Sequence, residues 1–138
     1  MKFAMYVVVL ICVVAVGVLG FVRLAPSDPE RWHVSIAETQ NQNMVGGAIR
    51  VADVERAALA RVDAAARDLP RTHVIAGSVD EGHITYITRS KWIGFPDYTT
   101  VEYGNGLLKM YARLRFGRSD FGVNRERLER LLVAAQKG

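Results

Sequence analysis

The chain opens with a long unbroken run of apolar residues. Residues 3–22 contain no charged or strongly polar side chain. At a rise of ~1.5 Å per residue, a helix of this length spans about 30 Å, which is the thickness of the hydrocarbon core of a bilayer. The run predicts a transmembrane helix at residues 1–22, followed by a domain with mixed apolar and polar patterns.

We interpret this helix as an anchor rather than a cleavable signal peptide. A signal peptide has a shorter apolar region, about 7–15 residues, and ends at a small-x-small cleavage site. Here the plausible cleavage site, Arg23-Leu24-Ala25, has an arginine where a small residue is required. Lys2 and the amino group precede the helix and favour a cytoplasmic N-terminus. We therefore expect a single-pass protein of the inner (cytoplasmic) membrane with its C-terminal domain in the periplasm.

A linker is predicted after the helix, at residues 23–31. Pro26 and Pro29 are poorly compatible with a regular helix or a central strand. Beyond the linker, residues 32–36 are predicted to form a short edge strand, and residues 40–43 a turn or loop.

Two amphipathic helices are predicted further along the chain. Between residues 53 and 69 apolar side chains recur at helical spacing, with Asp53 as the N-cap and Pro70 after the last turn. A second helix is predicted near the C-terminus, with Asn124 as its N-cap. Its apolar stripe consists of Leu128, Leu131, Leu132 and Ala135.

Four strands are predicted between these helices. They cover residues 72–79, 83–89, 97–103 and 107–116. Gly104, Asn105 and Gly106 separate the last two strands and predict a tight hairpin turn, because Asn and Gly tolerate positive φ. In the last strand apolar residues alternate with polar ones that include Arg113 and Arg115, which predicts one buried face and one solvent-exposed face.

This order of elements predicts an α+β fold. We expect a transmembrane helix, then a two-layer domain over residues 32–138. Its antiparallel sheet should have about four strands, with two helices packed on one face.

Composition excludes several classes of function. Cys12 is the single cysteine, so no disulfide forms within the chain. The three histidines lack the spacing of metal ligands, and we expect neither a metal nor another cofactor. The sequence pI is about 9.5, but there is no nucleic-acid-binding motif and we expect no nucleic-acid partner. A basic surface beside anionic lipid headgroups fits this charge better.

Two segments combine glycine, proline and charge. Residues 88–97 read Thr-Arg-Ser-Lys-Trp-Ile-Gly-Phe-Pro-Asp, and residues 113–125 read Arg-Leu-Arg-Phe-Gly-Arg-Ser-Asp-Phe-Gly-Val-Asn-Arg. Together they resemble the DUF1499 family, a domain of unknown function whose pattern ends in Gly-x-Ser-Asp-x-Gly-x-Asn-Arg. The similarity extends roughly from residue 32 to the C-terminus. It departs at Ala112 and Leu114, where members often carry serine. The resemblance implies a membrane-attached or secreted protein and implies no reaction.

Residues 117–124 allow two interpretations. In the first, they form a strand-to-helix connection in which glycines permit tight turning and polar side chains bond nearby amides. The structural members of the two segments are then Pro96, Asp97, Gly117, Gly122 and Asn124. In the second, arginines converge near the amides that begin the last helix and bind an anion. The candidate anion or partner site consists of Arg89, Arg113, Arg115, Arg118, Ser119, Asp120 and Arg125.

The sequence favours binding over catalysis. No Gly-x-Ser-x-Gly motif surrounds Ser119, and no histidine lies near it in sequence. The leading hypothesis is a non-catalytic accessory role at the membrane, either docking on another membrane protein or holding an anionic small molecule or lipid headgroup. The alternative is a small hydrolase or transferase that uses Ser119, Asp120 and the arginines.

Overall fold

The chain forms one long N-terminal helix followed by a six-stranded sheet with further helices. The computed structural model describes residues 1–137. The helices are α1 (Lys2–Leu24), α2 (Pro29–Trp32), α3 (Ala57–Asp68) and α4 (Val123–Gln136). The strands are β1 (Gln42–Met44), β2 (Gly47–Asp53), β3 (Thr72–Ser78), β4 (His83–Arg89), β5 (Pro96–Gly104) and β6 (Leu107–Leu114).

The sheet is antiparallel throughout, in the order β1-β2-β6-β5-β4-β3. It has six strands where about four were predicted, because the segment before α3 forms β1 and β2. Asp53 ends β2 instead of capping α3. Gly47 pairs so closely with β6 that a Cβ there would lie 2.5 Å from the Ala112 carbonyl oxygen. The close pairing with β6 thus requires glycine at this position, although glycine has a low strand propensity. The local sequence pattern therefore does not predict this strand.

One face of the sheet packs against α3 and α4, which confirms the predicted arrangement of the two helices. The sheet contributes Ala48, Ile84, Tyr86, Val101, Leu108, Met110 and Ala112 to this core. The helices contribute Ala58, Leu59, Val62, Ala66, Leu128, Leu131 and Ala135. Every one of these side chains is removed from water, so this layer supplies most of the hydrophobic stabilisation of the domain.

The other face is covered by residues 25–36, which we call the strap. The Trp32 ring stacks on Tyr98 with the ring centroids 3.9 Å apart, and Ser27 Oγ lies 2.7 Å from Tyr98 Oη. The predicted strand at residues 32–36 is absent, since the short helix α2 occupies Pro29–Trp32 and irregular chain follows. The prediction that the arginine face is solvent-exposed is also wrong, because the strap leaves Arg113 only 8% exposed.

The end of α1 is fixed to the domain by specific contacts. Arg23 donates from Nε to the Ile93 carbonyl (3.0 Å) and from Nη2 to the Trp92 carbonyl (2.8 Å). Phe21 packs edge-on against Phe116, with 6.0 Å between the ring centroids. Among residues 1–137, α1 is the one helix long and apolar enough to span a membrane. Its last turn is therefore held against the loop between β4 and β5.

Valine at both Asn105 and Gly106 is expected to destabilise the domain. The structure confirms the predicted turn, with φ of 53° and 77° at these two residues. A side chain forced into this region costs roughly 1–2 kcal/mol per position, and a β-branched one fits least well. Thermal melts should show a clearly lower Tm for the double variant. Gly104→Ala should melt close to the wild type, because its Cβ would meet open space; an unchanged Tm in the double variant would contradict the turn's role.

Candidate functional site

The first motif segment forms a closed loop between β4 and β5. Ser90 Oγ accepts hydrogen bonds from the amides of Gly94 (3.0 Å) and Phe95 (2.9 Å), while the Ser90 amide donates to the Phe95 carbonyl (3.0 Å). Gly94 has a φ of 81°, and Arg89 Nη1 donates to its carbonyl at 2.9 Å. The Arg-Ser pair of the motif therefore organises this loop, and Pro96 begins β5 directly after it.

The second motif segment connects β6 to α4, and Asp120 caps that helix. Its Oδ1 accepts from the Gly122 amide (3.0 Å) and its Oδ2 from the Asn124 amide (3.0 Å). Gly117 and Gly122 both have positive φ, as the structural interpretation required. The prediction that Asn124 is the N-cap is wrong, because the helix begins at Val123 and Asn124 lies inside its first turn.

Asn124 instead belongs to a buried polar network between the two segments. It is fully buried, donates from Nδ2 to Asp97 Oδ2 (3.3 Å), and accepts a hydrogen bond from Arg127. Arg127 also lies 3.6 Å from the Asp97 carboxylate. Burial raises the pKa of Asp97, and the neighbouring Asp120 raises it further, whereas Arg127 opposes both effects. Burial lowers the pKa of Arg127 in turn.

A cavity of about 480 Å³ lies between the two motif segments, and we call it the motif cavity. Its apolar wall consists of Phe95, Leu114, Phe116, Phe121 and Val123. Its remaining lining consists of Arg71, Thr88, Arg89, Ser90, Asp97, Gly117, Ser119, Asp120 and Arg127. The structure thus brings Arg89, Ser119 and Asp120 of the predicted site together with Asp97 and Gly117 of the predicted structural set.

Arg71, Arg89 and Arg127 line this cavity, and within residues 1–137 each keeps guanidinium nitrogens without a hydrogen-bond partner. Arg71 donates from Nε to the Arg89 carbonyl at 2.9 Å, and Arg89 donates from Nη1 to the carbonyls of Gly94 and Val22. Within residues 1–137 the remaining guanidinium nitrogens of both side chains have no hydrogen-bond partner. A planar guanidinium with free N–H groups is suited to a carboxylate or phosphate.

Arg113 and Arg115 lie on the opposite face of the sheet, beneath the strap. Arg113 donates to the Trp32 carbonyl and to Thr100 Oγ1 (2.8 Å), and burial lowers its pKa. Arg115 donates to the Pro26 carbonyl (2.8 Å) and to Tyr98 Oη (3.1 Å). The sheet therefore separates these two arginines from the motif cavity, and both hold the strap in place.

Arg118 and Arg125 are exposed, and neither lines the motif cavity. The helix-start amides that were expected to attract an anion are occupied by the carboxylate of Asp120. The structure therefore does not bring all the predicted arginines together at that end of the helix. Arg89 is the one predicted arginine that reaches the cavity.

Ser119 has a local structural role in this geometry. Its Oγ accepts a hydrogen bond from the Phe121 amide at 3.2 Å. The residues that line the motif cavity include no histidine or cysteine. Within residues 1–137, no group of three or more His, Cys, Asp or Glu side chains is placed to hold a metal ion. The arrangement supplies cationic donors and an apolar wall, which are the elements of a binding site.

Arg71 and Arg127 line the cavity and were missed by sequence reasoning. Arg71 follows Pro70 at the end of α3 and has a φ of 54°, a rare value for a residue other than glycine. The spacing of apolar residues along the chain does not indicate such a conformation. Arg127 lies one turn after Asn124 on α4, and its spacing from the motif's asparagine was the available signal.

No curated protein matches the chain. A family model described as a protein of unknown function, DUF1499, matches residues 22–134. The matched range includes both motif segments and every residue that lines the motif cavity. The chain therefore belongs to the DUF1499 family.

Proposed function

We propose that this chain is a single-pass membrane protein whose domain binds an anionic ligand in the motif cavity and catalyses no reaction. The observation that carries the proposal is that Arg71 and Arg89, which keep free guanidinium donors, line the same cavity as five apolar residues. The long apolar helix α1 supports the membrane anchor. An inner-membrane location with the domain in the periplasm is part of the same proposal.

The electrostatics of the cavity favour an anion. Its lining holds three arginines and two aspartates. Both carboxylates already have partners, since Asp120 accepts from two backbone amides and Asp97 accepts from Asn124 and lies beside Arg127. The free donors of Arg71 and Arg89 are therefore not neutralised from within the domain, and an incoming anion satisfies them.

The shape of the cavity favours a ligand with an apolar part. Its volume of about 480 Å³ is in the range of small-molecule sites. Three phenylalanines, a leucine and a valine make up the apolar part of its lining, and one of them, Phe121, is 94% exposed. A free inorganic ion leaves that wall unused. A carboxylic acid or phosphate ester with a short hydrocarbon group uses both the wall and the arginines.

Hexyl phosphate is a suitable probe for this site. The full chain in phosphatidylcholine nanodiscs is titrated by calorimetry, with empty nanodiscs subtracted and hexanol as the uncharged control. Saturable binding of hexyl phosphate and none of hexanol is expected. Arg71→Gln should weaken it roughly tenfold or more, because a hydrogen bond to a charged group contributes about 1.5–3 kcal/mol.

Arg118→Gln is the matched control, because it removes an exposed arginine from outside the cavity. It should bind hexyl phosphate as the wild type does. Equal responses to hexyl phosphate and hexanol would overturn the proposal. So would weaker binding in Arg118→Gln together with normal binding in Arg71→Gln.

A further inference from the structure

The loop at residues 90–95 presents an aromatic side chain to solvent beside the end of α1. Trp92 is 80% exposed, although tryptophan is among the most apolar side chains. The carbonyls of Trp92 and Ile93 accept hydrogen bonds from Arg23, which directly follows the apolar run of residues 3–22. Trp92 therefore lies beside the end of α1 and is exposed to the same surroundings.

A cationic groove of about 340 Å³ adjoins this loop. It is lined by Arg23, Arg71, Arg89 and Lys91, together with His73, Ser90 and Gly94, and its lining contains no carboxylate. Lys91 Nζ lies 4.9 Å from the centroid of the Trp92 ring. Tryptophan beside lysine and arginine is the composition that membrane-water interfaces favour, since the ring enters the headgroup layer while the cations meet phosphates.

We infer that Trp92 and the cationic groove form a second membrane contact, which rests on the headgroup layer of the bilayer that α1 spans. The inference depends on the proposed membrane span. It adds which surface of the domain meets the bilayer, how the domain is oriented, and which class of lipid it contacts. Anionic lipid headgroups are the occupant, because the groove adds Arg23 and Lys91 to the two arginines that it shares with the motif cavity and has no carboxylate in its lining. This contact directs the 90–95 loop, whose Ser90 and Phe95 line the motif cavity, towards the bilayer.

Depth-dependent quenching tests this contact, because the chain has two tryptophans in contrasting places. Trp32→Phe leaves only Trp92, and Trp92→Phe leaves only Trp32, which is stacked on Tyr98 beneath the strap. Each full-length variant is reconstituted into vesicles of phosphatidylcholine with phosphatidylglycerol, in which the acyl chains are brominated near the headgroup. Trp92 emission should be quenched several-fold more strongly than Trp32 emission. Lys91→Gln should reduce the quenching of Trp92, and so should omitting phosphatidylglycerol.

Flotation of the same vesicles after an alkaline carbonate wash separates the two possible failures. Loss of the protein from the vesicles would mean that α1 does not span, which defeats the proposed anchor. Retention with equal, weak quenching of both tryptophans would leave the anchor intact and overturn the second contact. Retention with strong quenching of Trp92 that does not depend on phosphatidylglycerol or Lys91 would overturn the role of anionic headgroups.

Discussion

Replacing Asp97 with alanine is expected to lower the free energy of unfolding by about 3 kcal/mol. The change leaves the Arg127 guanidinium, only 11% exposed, without its carboxylate. It also removes the acceptor of the fully buried Asn124 side chain. Chemical denaturation of the full chain in a neutral detergent measures the loss. Asp53→Ala, at an exposed aspartate on β2, is the matched control and should stay within about 0.5 kcal/mol of the wild type.

A double-mutant cycle identifies the source of this effect. If the cost comes from an unpaired buried charge, Arg127→Met should also destabilise, and the double variant should cost clearly less than the two single changes added together. Additive losses would contradict the coupling between Asp97 and Arg127.

The pH dependence of stability gives an independent reading of the same network. Burial raises the pKa of Asp97 above its ordinary value of 3.8. A carboxyl with a raised folded-state pKa contributes stability that is complete below its unfolded-state pKa and is lost as the pH rises through the folded-state value. Relative to Asp97→Asn, the wild type should therefore lose stability as the pH is raised through this window.

Replacing Arg113 with methionine is expected to lower the free energy of unfolding by about 2 kcal/mol and to loosen the strap. The guanidinium donates to the Trp32 carbonyl, Thr100 Oγ1 and the Tyr111 carbonyl, and its centre lies 5.6 Å from the Trp32 ring centroid. Methionine fills part of the volume but donates no hydrogen bond. In a Trp92→Phe background, Trp32 emission should shift to longer wavelength as water reaches the ring.

Arg118→Met is the control for this change, because Arg118 is exposed. Its unfolding free energy should change by less than about 0.5 kcal/mol. Equal stability of the two variants would contradict the assignment of Arg113 to the strap. The sequence placed Arg113, Arg115 and Arg118 in one candidate site, because the alternating pattern of a strand does not show what covers its polar face.

Features encoded by neighbouring residues could be predicted from the sequence. The Asn105-Gly106 turn, the strands that flank it and the apolar stripe of α4 all depend on contacts within a few positions. The apolar run of α1 is likewise local. The packing of two helices on one face then follows, because each amphipathic element has one apolar side to bury.

Features that depend on distant pairing could not be predicted. β2 reads as Gly-Ala-Ile-Arg-Val-Ala-Asp, and its identity as a strand comes from its pairing with β6 about 60 residues later. The strap is equally non-local, since Trp32 meets Tyr98 across the chain. The helix cap at Asp120 rather than Asn124 follows from the positive φ of Phe121 and Gly122, which no periodicity reveals.

The sequence therefore predicted only part of the candidate site. The motif pointed to Arg89, Ser119 and Asp120, which do meet in one cavity. The same sequence pattern also assigned Arg113 and Arg115 to the site, although they lie beyond the sheet. Arg71 could be assigned to the site only from the structure, because its position depends on the contact between the end of α3 and the end of β4.

A structure of the full chain with hexyl phosphate would locate the anion that we propose lies between Arg71 and Arg89 in the motif cavity. We predict phosphate oxygens at about 3 Å from the free guanidinium nitrogens of Arg71 and Arg89, with the hexyl group against Phe95 and Phe116. Phosphate bound instead on the strap side of the sheet, or only at the exposed Arg118 and Arg125, would contradict the account.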